Sequence, residues 1–170
     1  MLLKNLRTDR LRFRRLNPDD QAVLTEFFQS EKATRLITIF ENPARHAQAR
    51  IEYQMDRYDK EGDGLCAIID RHSGELVGHC GLLWQEIDDV RELEVAYHLQ
   101  PKHWKKGYAS EAAMACRDFV FAQGLAESVI SIIDTENINS QKVAERNGMQ
   151  REKEVAYKGR SVYIYRIKKK

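Results

Sequence analysis

The segment Gln100-Pro101-Lys102-His103-Trp104-Lys105-Lys106-Gly107-Tyr108-Ala109-Ser110-Glu111-Ala112 carries the most chemistry in this chain. An alternating stretch ends, a short loop with one glycine follows, and a run of small residues at helical spacing begins. The start of such a helix leaves several backbone N–H groups unpaired and carries the positive end of the helix dipole. That is a ready anion site, phosphate being the usual anion. Gly107 lets the backbone approach a ligand closely. Ala109, Ala112 and Ala113 keep the helix thin, and Lys105 and Lys106 add positive charge beside it. Neither GxxxxGK[ST] nor GxGxxG is present, so this is not a Walker loop or a dinucleotide fingerprint. On spacing alone, a plain strand-to-helix turn with solvated lysines fits equally well.

Two further stretches hold candidate groups. Glu92 to Leu99 alternates as a strand does, with Leu93, Val95, Tyr97 and Leu99 on one side and Glu92, Glu94, Ala96 and His98 on the other. Asn137 to Asn147 reads as a helix closed by Gly148, with Asn137 as its N-cap and Ser140 in its first turn. Cys66, Cys80 and Cys116 lie apart in apolar runs without CxxC spacing, which predicts buried thiols and no metal site. No cysteine has a local signature of an activated nucleophile. Cys80 follows His79, but neighbours on a strand point to opposite faces.

These groups need a scaffold. Leu11 to Arg14 reads as a strand, and Asn17-Pro18-Asp19-Asp20 as a capped helix start leading to Val23, Leu24, Phe27 and Phe28. Asn42-Pro43 opens a second helix with Ala47, Ile51, Met55 and Tyr58 on its apolar face. Strands follow at Leu65 to Asp70 and Glu75 to Trp84, and Gln85 to Val90 reads as a polar turn before the Glu92 strand. After the Ala-rich helix come a strand at Val129 to Ile133, the Asn137 helix, and a hairpin of Arg151 to Tyr157 and Ser161 to Ile167. The order is β-α-α-β-β-β-α-β-α-β-β.

The chain has 170 residues, which predicts a single domain spanning 1–170 with a core that needs no staple. Lysine and arginine number 28 against 26 acidic residues, a balance of +2 that does not favour nucleic acid or an anionic membrane as a partner. The longest stretch without Asp, Glu, Lys or Arg runs only from Leu76 to Gln85, too short to span a bilayer. The N-terminus meets charge at Lys4 and has no apolar signal core, so a cytoplasmic protein is expected. The basic tail Ile167-Lys168-Lys169-Lys170 reads as a disordered end.

Three of these segments together carry a resemblance. Trp104 to Ala112 resembles the coenzyme A pyrophosphate loop of the GNAT superfamily of acetyl-CoA-dependent N-acetyltransferases. Asn137 to Met149 resembles its NxxSxxVxExxGF signature, and Leu93 to Leu99 the strand that precedes the loop. Thr8-Asp9-Arg10-Leu11-Arg12-Phe13-Arg14 is similar to the branch of ribosomal-protein N-terminal acetyltransferases. The resemblance implies an α+β fold with a twisted mixed sheet of six to seven strands and about four helices. It implies acetyl-CoA as donor, with the backbone of Trp104, Lys105, Lys106, Gly107, Tyr108, Ala109 and Ser110 cradling the pyrophosphate. Tyr97, His98 and Leu99 would pair through backbone with the pantetheine arm between two splayed strands. Asn137 would bond the pantetheine, and Ser140 would lie near the thioester sulfur. Trp104 stands where the superfamily often has Gln or Arg, Met149 replaces a usual Phe, and Ala144 stands where many members carry a tyrosine general acid. Ser140 is then the candidate to protonate the thiolate.

The reaction so implied is direct acyl transfer from a thioester to a neutral amine. At pH 7 deprotonation costs an α-amine about 1.1 kcal/mol and a lysine about 4.6, from pKa values of ~7.7–8.0 and ~10.4. Glu94 is the leading base, ahead of Glu92 and His98, and a backbone N–H near Tyr97 or His98 would meet the oxyanion. The family places its acceptor near Thr34 to Phe40, Trp84 to Val90 and Val155 to Tyr163, where Glu86, Asp88 and Asp89 would attract a cation. The branch implies a protein N-terminus as acceptor. The alternatives are a small amine (polyamine, amino acid or aminoglycoside) or a non-catalytic acyl-CoA-binding module. The family often dimerises, for which Trp84 or the terminal hairpin would serve.

Overall fold

In a computed structural model, which describes residue 3, residues 5–37 and residues 42–169, the chain forms one seven-stranded sheet. The elements are β1 (Leu11–Arg15), α1 (Gln21–Gln29), α2 (Glu31–Thr34), α3 (Pro43–Lys60), β2 (Gly64–Asp70), β3 (Leu76–Ile87), β4 (Val90–Leu99), α4 (Tyr108–Ala122), β5 (Ser128–Asp134), α5 (Ile138–Arg146), β6 (Gln150–Tyr157) and β7 (Arg160–Lys168). The expected order holds, with the four-residue α2 as the added helix. The strand order across the sheet is β1-β2-β3-β4-β5-β7-β6. Every neighbouring pair is antiparallel except β4 with β5.

Each face of the sheet has its own core. The odd-numbered side of β4 faces α4, where Leu93, Val95 and Leu99 bury with Cys80, Ala112, Ala113, Cys116 and Val120. The opposite face takes α1 and α3, where Leu24, Phe27 and Phe28 pack with Ala47, Ile51, Ala67 and Ile69. All three cysteines are buried thiols outside any disulfide.

The helix caps follow the sequence closely. The Asn42 side chain accepts from the Arg45 N–H and Pro43 opens α3. Asn17 caps in the expected place, but the turn it starts is a 3-10 turn over Pro18–Asp20 that runs on into α1. The apolar face of α3 needs a correction. Met55 is exposed and Gln54 is buried, because residues 47, 51, 54 and 58 make the face that meets the sheet. The Gln54 Oε1 accepts the Leu65 N–H at 2.7 Å, which satisfies the buried amide.

Gln85 to Val90 is also not one long turn. β3 runs on to Ile87 and β4 starts at Val90, so only Asp88 and Asp89 turn. Both hold positive φ, 50° and 63°, as a two-residue primed hairpin turn requires. Lys158 and Gly159 make the same kind of turn between β6 and β7, with φ of 48° and 78°. The basic tail is not loose. Lys168 pairs with Ser128, and the Lys169 N–H donates to the Glu127 carbonyl, while Lys170 lies outside the described residues. Trp84 is half-buried against the core with the Arg91 guanidinium 4.7 Å above its ring. Among the described residues no helix is long and apolar enough to cross a membrane.

Candidate active site

The site begins where the two parallel strands part. β4 and β5 share a single register pair, Glu94 with Ile130. Beyond it the Ser131 hydroxyl donates to the Val95 carbonyl at 2.7 Å, and no further pairing closes the gap. Burial changes at the same point: Leu93, Glu94 and Val95 are buried, whereas Ala96, Tyr97 and His98 are partly open. The result is a V-shaped slot in the sheet with strand backbone on its walls.

Backbone alternation decides which groups face that slot. The Val95 carbonyl points into it. The His98 carbonyl points the other way, toward β3, where a Cβ on Gly78 would collide with it. The Gln100 N–H likewise donates to Val77 of β3 at 3.0 Å. Successive peptide groups of a strand alternate in direction, so Tyr97 and Leu99 present backbone to the slot and His98 presents its backbone to β3. The Leu99 carbonyl already accepts from the Trp104 indole N–H at 2.8 Å. Trp104 therefore anchors the start of the loop instead of offering a side chain to a ligand.

Glu94 closes the apex of the slot. Its carboxylate accepts from the Gln85 side-chain amide at 2.7 Å and from the Ile132 N–H. Burial is the largest influence and pushes its pKa up, against the pull of these two donors and of Lys158 and Arg57. The Gln85 Oε1 in turn accepts from the Tyr157 hydroxyl at 2.8 Å. Sequence reading missed Gln85 and Tyr157, since their partners lie 9 and 72 residues away. The other two base candidates are differently placed. Glu92 is bound by the Arg166 guanidinium at 2.6 and 2.9 Å. The His98 imidazole stacks on His79 with centroids 4.9 Å apart, edge-on to Phe27. Burial, helped by the charge of Arg50, lowers its pKa to about 3 and keeps it neutral.

At the mouth of the slot, Gly107 takes φ of 83° at the N-cap of α4 and has no side chain to cap the helix. Lys105, two residues earlier, also holds a positive φ of 62°. The N–H groups of Gly107, Tyr108, Ala109 and Ser110 have no acceptor among the described residues, and the first intrahelical bond here is Glu111 to Gly107. The side chains of Lys105 and Lys106 are exposed beside them. Four convergent N–H groups, a helix dipole and two lysines fit an anion carrying more than one charge.

α5 flanks the other side. The Asn137 Oδ1 caps it by accepting the Ser140 N–H at 3.1 Å, and its amide nitrogen stays uncommitted. Ser140 is half-exposed, and its carbonyl accepts the Tyr97 hydroxyl at 2.9 Å. That bond ties the wall of the slot to the first turn of α5. Ala144 is fully buried and carries only a methyl, so that position offers no proton donor. On the opposite face, Arg160 of the β6–β7 hairpin donates to the Leu36 carbonyl, which joins two of the three expected acceptor segments. Residues 38–40 of the Thr34 to Phe40 segment lie outside the described residues. Asp88, expected to attract a cation, pairs with Lys153 at 2.6 Å.

Comparison with known proteins identifies the family. Residues 10–150 match the family described as the acetyltransferase (GNAT) domain. The Bacillus subtilis protein YkkB is 30% identical over 163 residues, covering 95% of this chain and 94% of that protein. An acetyltransferase from Agrobacterium tumefaciens superposes with a TM-score of 0.82 at 25% identity, covering 98% of this chain and 95% of its own. RimL, a ribosomal L7/L12 α-N-protein acetyltransferase solved with coenzyme A, superposes with a TM-score of 0.76 at 15% identity, covering 98% and 97%. The chain belongs to the GNAT family and is an acetyl-CoA-dependent N-acetyltransferase.

Proposed function

We propose that the acceptor is the N-terminal α-amine of a protein or peptide, with ribosomal proteins the first class to test. The observation that carries this reading is the base: a single buried carboxylate, Glu94, held by Gln85 and the Ile132 N–H at the apex of the slot. A base of that strength suits an α-amine, whose deprotonation costs about 1.1 kcal/mol at pH 7, far better than a lysine at about 4.6. The fold shared with RimL supports the same direction.

Acetyl-CoA supplies the activated acetyl group as a thioester. In this reading the N–H groups from Gly107 to Ser110, with Trp104, Lys105 and Lys106 shaping the loop, hold the pyrophosphate. Tyr97 and Leu99 bond the pantetheine arm through backbone. The His98 backbone, turned to β3, is left out of that contact, and the Asn137 amide nitrogen donates from the far wall. Glu94 takes the proton of the incoming ammonium, directly or through a water. The Tyr97 N–H, aimed into the slot, meets the oxyanion, a role worth about 2.7–4 kcal/mol where donors are preorganised. The Ser140 hydroxyl relays to the departing thiolate the proton that the attacking nitrogen must lose as the amide forms, in place of the tyrosine that Ala144 excludes.

The test offers acetyl-CoA with a peptide bearing a free N-terminus, the same peptide N-terminally blocked but containing lysine, and spermidine. The free N-terminus should be acetylated at least tenfold faster than either competitor. Preference for spermidine would assign the enzyme to small amines, and preference for the blocked peptide would make lysine the acceptor.

A further inference from the structure

The sequence Thr8-Asp9-Arg10 precedes β1, at the edge of the sheet away from β5. It nevertheless reaches the start of α4. The Arg10 Nε donates to the Glu111 carboxylate at 2.6 Å, and the Arg10 N–H donates to it at 3.0 Å. The Thr8 hydroxyl donates to the same carboxylate. Arg71 holds the segment from behind, donating to the Thr8 and Asp9 carbonyls at 2.6 and 3.1 Å. The Arg10 guanidinium lies 4.7 Å from the centroid of the Tyr108 ring, whose hydroxyl donates to Asp70 at the end of β2.

One further bond gives this bracket a direction. The Arg10 Nη1 donates to the Lys106 carbonyl at 2.9 Å. The Lys106–Gly107 peptide is trans, so its carbonyl and its N–H point opposite ways. Holding the carbonyl toward Arg10 therefore aims the Gly107 N–H away from it. Glu111 would otherwise place a bare carboxylate in the first turn, where the anion must sit. Three donors saturate it, and they hold its pKa low against the opposing effect of burial.

We propose that Arg10, locked by Glu111 and Thr8, is a positioning residue that orients the Gly107 N–H toward the pyrophosphate of the donor. This rests on the reading of residues 104–110 as the pyrophosphate cradle. The Arg10 side chain is 47% exposed and borders an open cavity of about 640 Å³, so its removal opens no void in the core, though it ends the contact with the Tyr108 ring. Nothing in this contact pattern requires Arg10 to touch the donor.

The experiment measures dissociation constants for acetyl-CoA and for S-acetylpantetheine, which lacks the pyrophosphate, by titration calorimetry. Arg10→Ala should weaken acetyl-CoA about tenfold and leave S-acetylpantetheine within twofold. Glu111→Gln should do the same, and the double variant should be no weaker than the worse single, because the two residues act as one unit. Arg10→Lys, the milder variant should Arg10→Ala fail to fold, should give a smaller loss with the same donor selectivity. Equal weakening of both donors, or of neither, would overturn the positioning role. A wild-type protein that binds the two donors equally well would instead overturn the cradle reading beneath it.

Discussion

Glu94→Gln should lower kcat/KM for acetyl transfer by about 10²-fold and should also raise the melting temperature at pH 8. The first effect follows from general base catalysis, which is worth roughly 10²–10⁴-fold. The lower end applies because an α-amine is already partly neutral near pH 7. The acidic limb of the wild-type pH profile should lie above the ordinary carboxylate range, because burial raises the Glu94 pKa. That limb should flatten in the variant. The second effect follows from the same burial. A carboxyl whose folded pKa is raised favours the folded state while protonated and loses that contribution as pH rises through the folded value. The wild type therefore carries a buried charge at pH 8 that the glutamine does not. The gap in melting temperature should close as pH falls toward 4. An unchanged acidic limb in the variant would remove Glu94 from the role of base.

Acidification from pH 7 to pH 5 should destabilise the protein by about 2 kcal/mol through His98 alone, with His79 adding to the loss in the same direction. His79 and His98 stack between β3 and β4 beneath Phe27. Burial, then the charges of His98 and Arg50, lowers the His79 pKa well below its ordinary value; burial and Arg50 take His98 to about 3. The buried Nδ1 of His98 has no hydrogen-bond partner, so nothing local would welcome a proton. The unfolded chain protonates both rings near pH 6.5. Stability from the pair is therefore complete above that value and is lost as pH falls below it. At pH 5 the deficit for His98 is about 1.5 pH units, or roughly 2 kcal/mol, and His79 adds to it with the same sign. For a domain of this size the His98 share alone is a drop of about 4–8 °C in melting temperature. Replacing both with leucine should remove at least that much of the slope between pH 7 and pH 5, whatever the absolute stability of the variant. Equal slopes in the two proteins would show that the pair does not titrate on unfolding.

The parts of the site that were legible in the sequence are those whose causes are local. Gly107 and the alanines after it announce a thin helix start, and Asn137 caps α5 where its spacing placed it. Period-two alternation put Glu94 and His98 together on one side of β4 and Tyr97 on the other. What stayed hidden depends on partners distant in the chain. Gln85 reads as turn because it is polar, yet it is a strand residue whose polarity serves Glu94 and Tyr157. Gln54 was passed over for Met55 for the same reason, since only the Leu65 N–H explains a buried amide. The bracket from Arg10 to Glu111 spans 101 residues and has no short-range signal. The direction of each backbone group on β4 required the register with β3 and the break with β5.

The donor is expected in the slot between β4 and β5, bonded by alternate backbone groups, with its pyrophosphate on the start of α4. Residue-resolved amide hydrogen exchange with and without acetyl-CoA tests it most directly. New protection should appear at Tyr97, Leu99 and Gly107 to Ser110, and none at His98, whose backbone already faces β3. Protection that leaves Tyr97 and Leu99 unchanged, or that reaches His98 equally, would contradict it.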